Sequence, residues 1–394
     1  MSNNNLFTPI VNAFWDVGVD ICKRISKLLG IKLFEFNKLF RELKLCNKSE
    51  VYPRFYNYTY NEYSITYTFT VPTGLSVENF RKHQDAIEHF MGVDSVTIER
   101  NNKFVDIKIL TKTPYVEYDP EEMKRKDFKI PLGYDLSNNK LILWDITSNN
   151  NCHCYIAGSS GGGKSIALRL ILAHLVNSKS KRDIEFSIIN TKRVDLKDFQ
   201  YAKNTVNYMT GIEGVEEFLE EELEEMERRY RLFEKYDCDD LKEFRSKGNR
   251  VPYRIIVVEE ISSYKGNKEY QRGIELLASQ GRGAGCILLM VTQLPSAEIM
   301  PNTIKCNINT TIGLKTKDSI RSEIIAGPDA GLEKLKGNGH SKLFDGSHDG
   351  TEYQGLYIDK QVMKDIIKAN SKQNKKVASA GTLTTLNGDN KNLG

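Results

Sequence analysis

The chain has 394 residues, with 56 Lys plus Arg against 52 Asp plus Glu and a formal net charge of +4. That balance excludes a polybasic chain that holds nucleic acid by bulk charge, so any DNA contact has to use a local patch. Apolar residues at 40% and charged residues at 27% fit an ordinary globular protein of two or three domains, and no apolar run reaches the ~18 residues that a bilayer span needs.

The first residues show no basic stretch followed by an apolar one, so no secretory signal is expected. Cys22, Cys46, Cys152, Cys154, Cys238, Cys286 and Cys306 are scattered and odd in number. This is the pattern of reduced thiols, and it places the chain in the cytoplasm. Cys152-His153-Cys154 lacks a second pair at zinc spacing and reads as a strand running into a loop.

In chain order, Phe7, Ile10, Val11, Phe14, Ile21, Ile25, Leu28 and Leu29 recur at intervals of three and four, an amphipathic helix over 6–29. A second short helix fits 33–45. Two readings stand for this 1–48 segment. It is either a helical hairpin packed on the body, or a docking helix at 6–29 for a protein partner or for the inner face of the cell membrane. Next comes a small α+β domain, 49–130, with a βαββ pattern. Ile65, Tyr67, Phe69 and Val71 alternate with polar residues, a half-buried strand. Ser76 can cap a helix over 77–91, and strands follow at 95–99 and 104–110 around an Asn101-Asn102 turn. Tyr52, Tyr56, Tyr58, Tyr60, Tyr63 and Tyr67 could stack bases; edge or core packing is the plainer reading.

From 131 to 370 apolar β-runs alternate with longer helices. Strands are predicted at 141–144, 153–157, 185–190, 254–259, 286–292, 310–314 and 355–358, and helices at 164–177, 213–235, 239–247, 268–280 and 318–326. That pattern predicts an α/β domain whose parallel sheet is covered on both faces. The tail, 371–394, is Lys-, Asn-, Ser-, Thr- and Gly-rich, a composition that predicts disorder.

The chemistry is concentrated in the last domain. Cys154-Tyr155-Ile156-Ala157 runs into Gly158-Ser159-Ser160-Gly161-Gly162-Gly163-Lys164-Ser165 and then a helix that opens with Ile166. This is GxxxxGKS in its required strand–loop–helix setting. Glycines let successive N–H groups face phosphates, and the helix N-terminus adds positive potential. Lys164 is expected on the β- and γ-phosphates of ATP, and the Ser165 hydroxyl on Mg²⁺. Ile255–Val258 is an apolar strand ending in Glu259-Glu260. Glu259 is the expected metal-side carboxylate and Glu260 the group that orients and polarises the attacking water. Gln280–Gly285 reads as a glycine-flanked loop carrying Arg282, which in an oligomer can reach a neighbour's nucleotide. The strand after it ends in Thr292-Gln293, where Gln293 can sense the γ-phosphate.

Together these residues resemble the FtsK/SpoIIIE family of DNA-translocating ATPases, over about 131–360. Asn190-Thr191-Lys192-Arg193-Val194-Asp195 stands where the family often has DPK-x-x-E. Glu225–Tyr230 looks like its EMERRY helix, Gln280–Gly285 like QxGRAAG, Thr292–Pro295 like TQRP, and Asp318–Arg321 and Gln354-Gly355 like its DSR and QG elements. The segment 63–110 resembles the small domain of TcpA-like coupling proteins of conjugative elements. The resemblance implies a RecA-like P-loop motor that binds ATP and Mg²⁺, assembles as a hexameric ring around double-stranded DNA and moves it. Lys305, Lys315 and Lys317 are then candidates for the channel wall.

Two departures stand out: the usual DE is Glu259-Glu260, and Leu294 replaces the arginine of TQRP. The family's C-terminal winged helix and membrane spans are not expected here. Three functions remain open on these residues. The first is a translocase serving a conjugative or mobile element, the second a chromosome-segregation or packaging motor, and the third a nucleotide-dependent structural or recruitment protein with little hydrolysis, which Glu259 keeps alive.

Overall fold

The structure, a computed structural model, describes residues 35–60, 64–93, 96–110, 115–136, 138–346 and 350–371. The predicted helix at 6–29 and nearly all of the 371–394 tail lie outside them. The chain divides into two units, Met1–Lys112 and Thr113–Gly394.

In the first unit, helix α1 (Phe36–Glu42) precedes a four-stranded antiparallel sheet of β1 (Arg54–Tyr60), β2 (Ser64–Thr70), β3 (Val96–Asn101) and β4 (Phe104–Leu110), in the order β1-β2-β4-β3. The expected βαββ pattern is therefore ββαββ, with one strand more at the edge. A register shift between Phe55 and Asn57 breaks the alternation that would have marked β1 in the sequence. The helix expected over 77–91 is two, α2 (Val77–Arg81) and α3 (Gln84–Met91). Phe36, Leu39 and Phe40 of α1 pack on Tyr67, Phe69, Phe80, Ile87 and Ile107. Residues 35–48 thus share this core rather than forming a separate segment. Tyr67 is fully buried and unavailable to a base, whereas Tyr56 and Tyr60 are exposed.

The second unit is built on a ten-stranded sheet in the order β6-β5-β14-β13-β12-β7-β11-β10-β8-β9. Its strands are β5 (Lys129–Asp135), β6 (Leu141–Asp145), β7 (Cys154–Ala157), β8 (Ile184–Asn190), β9 (Thr205–Thr210), β10 (Tyr253–Val258), β11 (Cys286–Thr292), β12 (Thr310–Leu314), β13 (His340–Phe344) and β14 (Thr351–Gly355). From β12 to β9 every pairing is parallel. The four remaining strands extend the sheet antiparallel, so the sheet is mixed rather than parallel throughout. β5, β9 and β13 went unpredicted, and the strand expected at 355–358 ends at Gly355. The reason is visible in β5, which carries Pro131 and Gly133, both unfavourable in a strand interior. A Cβ on Gly133 would sit 2.0 Å from the Gln354 carbonyl oxygen, so the close approach of β14 requires glycine there.

Alternation along the parallel strands explains why both faces are covered. Ile255 and Val257 of β10, and Ile287, Leu289 and Val291 of β11, pack with Leu168, Ile171 and Leu175 of α4 (Lys164–Ser178). Ile256, Val258, Leu288 and Met290 face the other way. They meet Phe218 and Leu219 of α5 (Val215–Lys235) and Ile274 and Leu277 of α7 (Lys268–Ala284), which follows the short α6 (Leu241–Ser246). After β11 the chain adds α8 (Asn302–Lys305), α9 (Ser319–Ala326) and α10 (Lys360–Ala369). Tyr118 is buried in the main core, and its hydroxyl lies 3.0 Å from His174 Nδ1 of α4. Residues 115–128 therefore belong with the larger unit, and the division lies at 112/113 rather than 130/131.

α7 corrects a second expectation. It does not stop at Gln280 but runs to Ala284, with Gly285 as its left-handed end at φ 70°. The glycines that suggested a loop are packing glycines inside the helix. A Cβ on Gly281 would lie 2.5 Å from the Cys286 carbonyl oxygen, and one on Gly283 would lie 2.7 Å from Tyr230 Oη. That contact seats α5 on α7: Tyr230 Oη donates to the Gln280 carbonyl at 2.5 Å, and the fully buried Arg229 donates to the Ala284 carbonyl at 3.0 Å.

Candidate nucleotide site

β7 lies between β12 and β11 in the middle of the sheet, its four residues all buried. Its C-terminal end delivers Gly158–Gly163 between the ends of its neighbours. The loop is fixed from behind by the Ser159 N–H donating to the Lys315 carbonyl at 2.7 Å and by the Gly339 N–H donating to the Gly162 carbonyl at 3.1 Å. Gly163 sits at φ 114° as the last residue before α4. Ser160 and Gly161 form the exposed tip. The first helical residue, Lys164, is buried, and its ammonium donates to the Gly158 and Ser159 carbonyls at 2.8 and 2.7 Å. Burial, then the charge of Lys192, push it down to about 8, against the pull of Glu260. Ile166 is half-buried and turns into the core.

Ser165 Oγ donates to Asp195 Oδ2 at 2.8 Å. The other Asp195 oxygen accepts from Arg169 Nη2 at 2.5 Å. Arg169 stands one helical turn after Ser165, so both face the same side of α4. Because its proton goes to Asp195, Ser165 keeps its lone pairs free for a cation.

Glu259 and Glu260 follow β10, two strands from β7 across β11. Glu259 is buried, with the Lys192 N–H 3.3 Å from its Oε2, and Thr191 Oγ1 donates to its backbone carbonyl. Burial first, then the charge of Asp195, raise its carboxyl to about 7, against the Lys192 N–H. Glu260 adopts φ 58°, ψ 68°, a left-handed conformation that a non-glycine residue holds only at a cost. Its Oε1 accepts from Ser262 Oγ at 2.6 Å, Thr292 Oγ1 at 2.8 Å and the Gln293 N–H at 3.1 Å, and its Oε2 lies 3.1 Å from Lys192 Nζ. Burial would raise this carboxyl, but the hydrogen bonds from Ser262, Gln293, Thr292 and Lys192 outweigh it and hold it below its ordinary value. Gln293, half-buried, thus touches Glu260 through its backbone.

The sequence-predicted residues Lys164, Ser165, Glu259, Glu260 and Gln293 accordingly converge at the C-terminal ends of adjacent parallel strands. Arg282 does not join them. It is exposed in the last turn of α7, before β11 begins, and donates to the Asn149 carbonyl at 2.6 Å. The seven residues of β11 separate it from the phosphate loop by about 20 Å. Lys305 is engaged in capping α9, donating to the Ile324 carbonyl at 2.7 Å, while Lys315 and Lys317 are exposed. His153 Nδ1 accepts from the Leu288 N–H at 3.0 Å, a structural role.

Sequence reasoning missed Arg169, Lys192 and Asp195 as members of the site. Arg169 was available from its four-residue spacing to Ser165. The other two lie in a segment noted only for its motif.

The donor set fits nucleotide and Mg²⁺. Among the described residues no group of three or more His, Cys, Asp or Glu side chains is placed to hold a metal by itself. Mg²⁺ at such sites takes one or two protein oxygens and completes its shell from phosphate and water, which a serine hydroxyl and nearby carboxylates allow.

The family model described as FtsK/SpoIIIE matches residues 115–325. The chain belongs to the FtsK/SpoIIIE family. The FtsK/SpoIIIE relatives include the DNA translocase FtsK of Borreliella burgdorferi, 30% identical over 260 residues covering 63% of this chain and 32% of that protein. They also include the DNA translocase SftA of Bacillus subtilis, 27% identical over 280 residues covering 68% and 28%. The chain spans about a third of the length of these relatives. The fold is also that of the pCW3 conjugation coupling protein TcpA, solved as a monomer form with ATPγS, at TM-score 0.59 and 21% identity over 84% of this chain and 97% of that one. EssC (ATPases 2 and 3) from Geobacillus thermodenitrificans gives TM-score 0.58 at 17% identity over 69% and 53%. This FtsK/SpoIIIE chain therefore carries a RecA-like P-loop ATPase domain. Among the described residues no helix is long and apolar enough to cross a membrane.

Proposed function

We propose that this protein is an ATP-driven translocase of double-stranded DNA that works as a hexameric ring, in transfer or maintenance of a conjugative or mobile element. The observation that carries the motor reading is the meeting of Lys164 and Ser165 with Glu259 and Glu260 in an FtsK/SpoIIIE chain. The likeness to TcpA across 84% of this chain supports the conjugative assignment. Its place is the cytoplasm, with residues 6–29 as the attachment point to a protein partner or the membrane surface.

In this reading Gly158–Gly163 wrap the triphosphate with backbone N–H groups, and Lys164 leaves the loop carbonyls for the β- and γ-phosphates. Ser165 and Glu259 hold Mg²⁺, which supplies charge neutralisation at the phosphate oxygens. Glu260 accepts a proton from water as the water oxygen bonds to the γ-phosphorus. The bond from that phosphorus to the β,γ-bridging oxygen breaks, leaving ADP and phosphate. Gln293 orients the γ-phosphate end. Arg282, too far to serve its own site, acts on the neighbouring subunit's nucleotide, where a positive charge stabilises the transferring phosphoryl group.

A second reading, nucleotide-dependent recruitment with little hydrolysis, is favoured by one observation: all the oxygens of Glu260 are already engaged. ATP turnover by the full chain, with duplex and with single-stranded DNA, separates the two. The motor reading requires turnover that duplex stimulates more than single strands and that Lys164→Ala and Glu260→Gln each abolish. ATP binding without DNA-stimulated turnover would support recruitment instead.

A further inference from the structure

Two lysines converge where the phosphate loop accounts for one. Lys192 follows β8 and has a fixed backbone: its N–H meets Glu259 Oε2 at 3.3 Å, and the Arg193 N–H donates to the Asn190 carbonyl at 3.2 Å. Its long side chain crosses to Glu260, with Nζ 3.1 Å from Oε2. The same ammonium is close enough to Lys164 that its charge, after burial, helps lower that lysine to about 8. Like charges this close oppose each other. A surplus of positive charge beside a phosphate loop is the complement of a polyanion.

The two oxygens of Glu260 are held differently. Oε1 is anchored by Ser262, Thr292 and the Gln293 N–H. Oε2 is held, among the described residues, by Lys192. Three hydrogen bonds, one of them from the last residue of β11, define the fixed end of the carboxylate. A single ammonium on a flexible four-carbon stem defines the replaceable contact. Oε2 is therefore the oxygen that can meet water, and Lys192 covers it.

We propose that Lys192 is a second triphosphate-binding lysine, whose pairing with Glu260 Oε2 masks that oxygen until the γ-phosphate draws the ammonium away. The inference rests on the ATPase reading of this site. It makes water activation conditional on a triphosphate: a diphosphate, with nothing at the γ position, leaves the pair closed. It also predicts competition, because γ-phosphate and Glu260 seek the same ammonium.

The test is a binding cycle on the full chain with Mg²⁺, using fluorescent mant-ADP and mant-AMPPNP. Lys192→Met keeps the aliphatic stem and removes the charge. It should weaken mant-AMPPNP about tenfold, the worth of one charge-assisted contact, and leave mant-ADP within about twofold. Glu260→Gln releases Lys192 from its partner, so it should tighten mant-AMPPNP several-fold when Lys192 is present and not in the Lys192→Met background. A lysine that merely neutralises Glu260 would not produce that dependence. Equal weakening of both nucleotides by Lys192→Met, no weakening of either, or the same Glu260→Gln effect in both backgrounds overturns this inference alone. If the wild type binds neither nucleotide, or if Lys164→Ala binds both as the wild type does, the ATPase reading falls and this inference with it.

Discussion

Asp195→Asn removes one charge at the junction between the phosphate loop and β8 while keeping the side chain's shape. Two contacts depend on that charge. The pair with Arg169 is mostly shielded, its side chains 16% and 23% exposed, which puts it between an exposed pair and a buried one, at about 1–2 kcal/mol of folding stability. The second contact is the 2.8 Å bond from Ser165. With a carboxylate as acceptor, the hydroxyl rotor is fixed and its lone pairs stay available. With an amide, either the oxygen or the nitrogen can face Ser165, and the rotor loses its bias. Partners of this kind typically contribute 10–100-fold to metal affinity. The Mg²⁺ concentration for half-maximal ATP turnover should therefore rise at least about tenfold, measured at saturating ATP, while urea unfolding reports the stability loss separately. An unchanged Mg²⁺ requirement in a variant with the expected stability loss would show that Asp195 only braces Arg169, and would refute the positioning argument.

Gly281→Ala should destabilise the larger unit by about 1–3 kcal/mol in urea unfolding, the usual cost of overpacking, because its Cβ would lie 2.5 Å from a backbone oxygen. A neutral outcome would show that α7 shifts freely. Buried His174 is held down to about 4 by burial, then by the charges of Lys179 and Arg125, and His153 to about 4 by burial, then by Arg282. The unfolded chain binds these protons more tightly, with a pKa near 6.5. The histidine contribution to stability is therefore complete above about pH 6.5 and falls as pH drops toward 4, by about 2 kcal/mol per histidine at pH 5. Urea unfolding of wild type and His174→Gln at pH 8 and pH 5 checks this: the variant should lose about 2 kcal/mol less on going to pH 5 than the wild type does, while Glu259, raised to about 7, shifts both proteins alike in the opposite direction. Arg282→Ala should lose turnover in rings yet regain part of it when mixed with Glu260→Gln subunits, since a hybrid interface pairs an intact Glu260 with an intact Arg282; no recovery at any mixing ratio would argue against action between subunits.

Local patterns were legible wherever one residue type has one physical use. The phosphate loop declared itself because GxxxxGKS followed an apolar strand, and Glu259-Glu260 because carboxylates ended another. Glycine was the harder letter. At Gly163 it serves backbone conformation, as the motif suggests. At Gly281 and Gly283 it serves close packing against Cys286 and Tyr230, and nothing local distinguishes the two uses, so a helix end was read as a loop. Two antiparallel strands of the larger sheet, β5 and β14, were hidden for a related reason. β5 contains Pro131 and Gly133, and β14 is mostly polar, so their strand character comes from neighbours rather than composition. Asp195 and Lys192 became part of the site only when β8 was placed next to β10, a non-local fact.

Triplex displacement by the full chain on duplex DNA is the most direct test of the central claim, since it detects movement along DNA rather than binding or hydrolysis. Wild-type protein should strip the third strand only with ATP and Mg²⁺, and Glu260→Gln should strip none while still binding DNA. Sustained ATP turnover on the same duplex with no displacement from either direction of approach would contradict the translocase account.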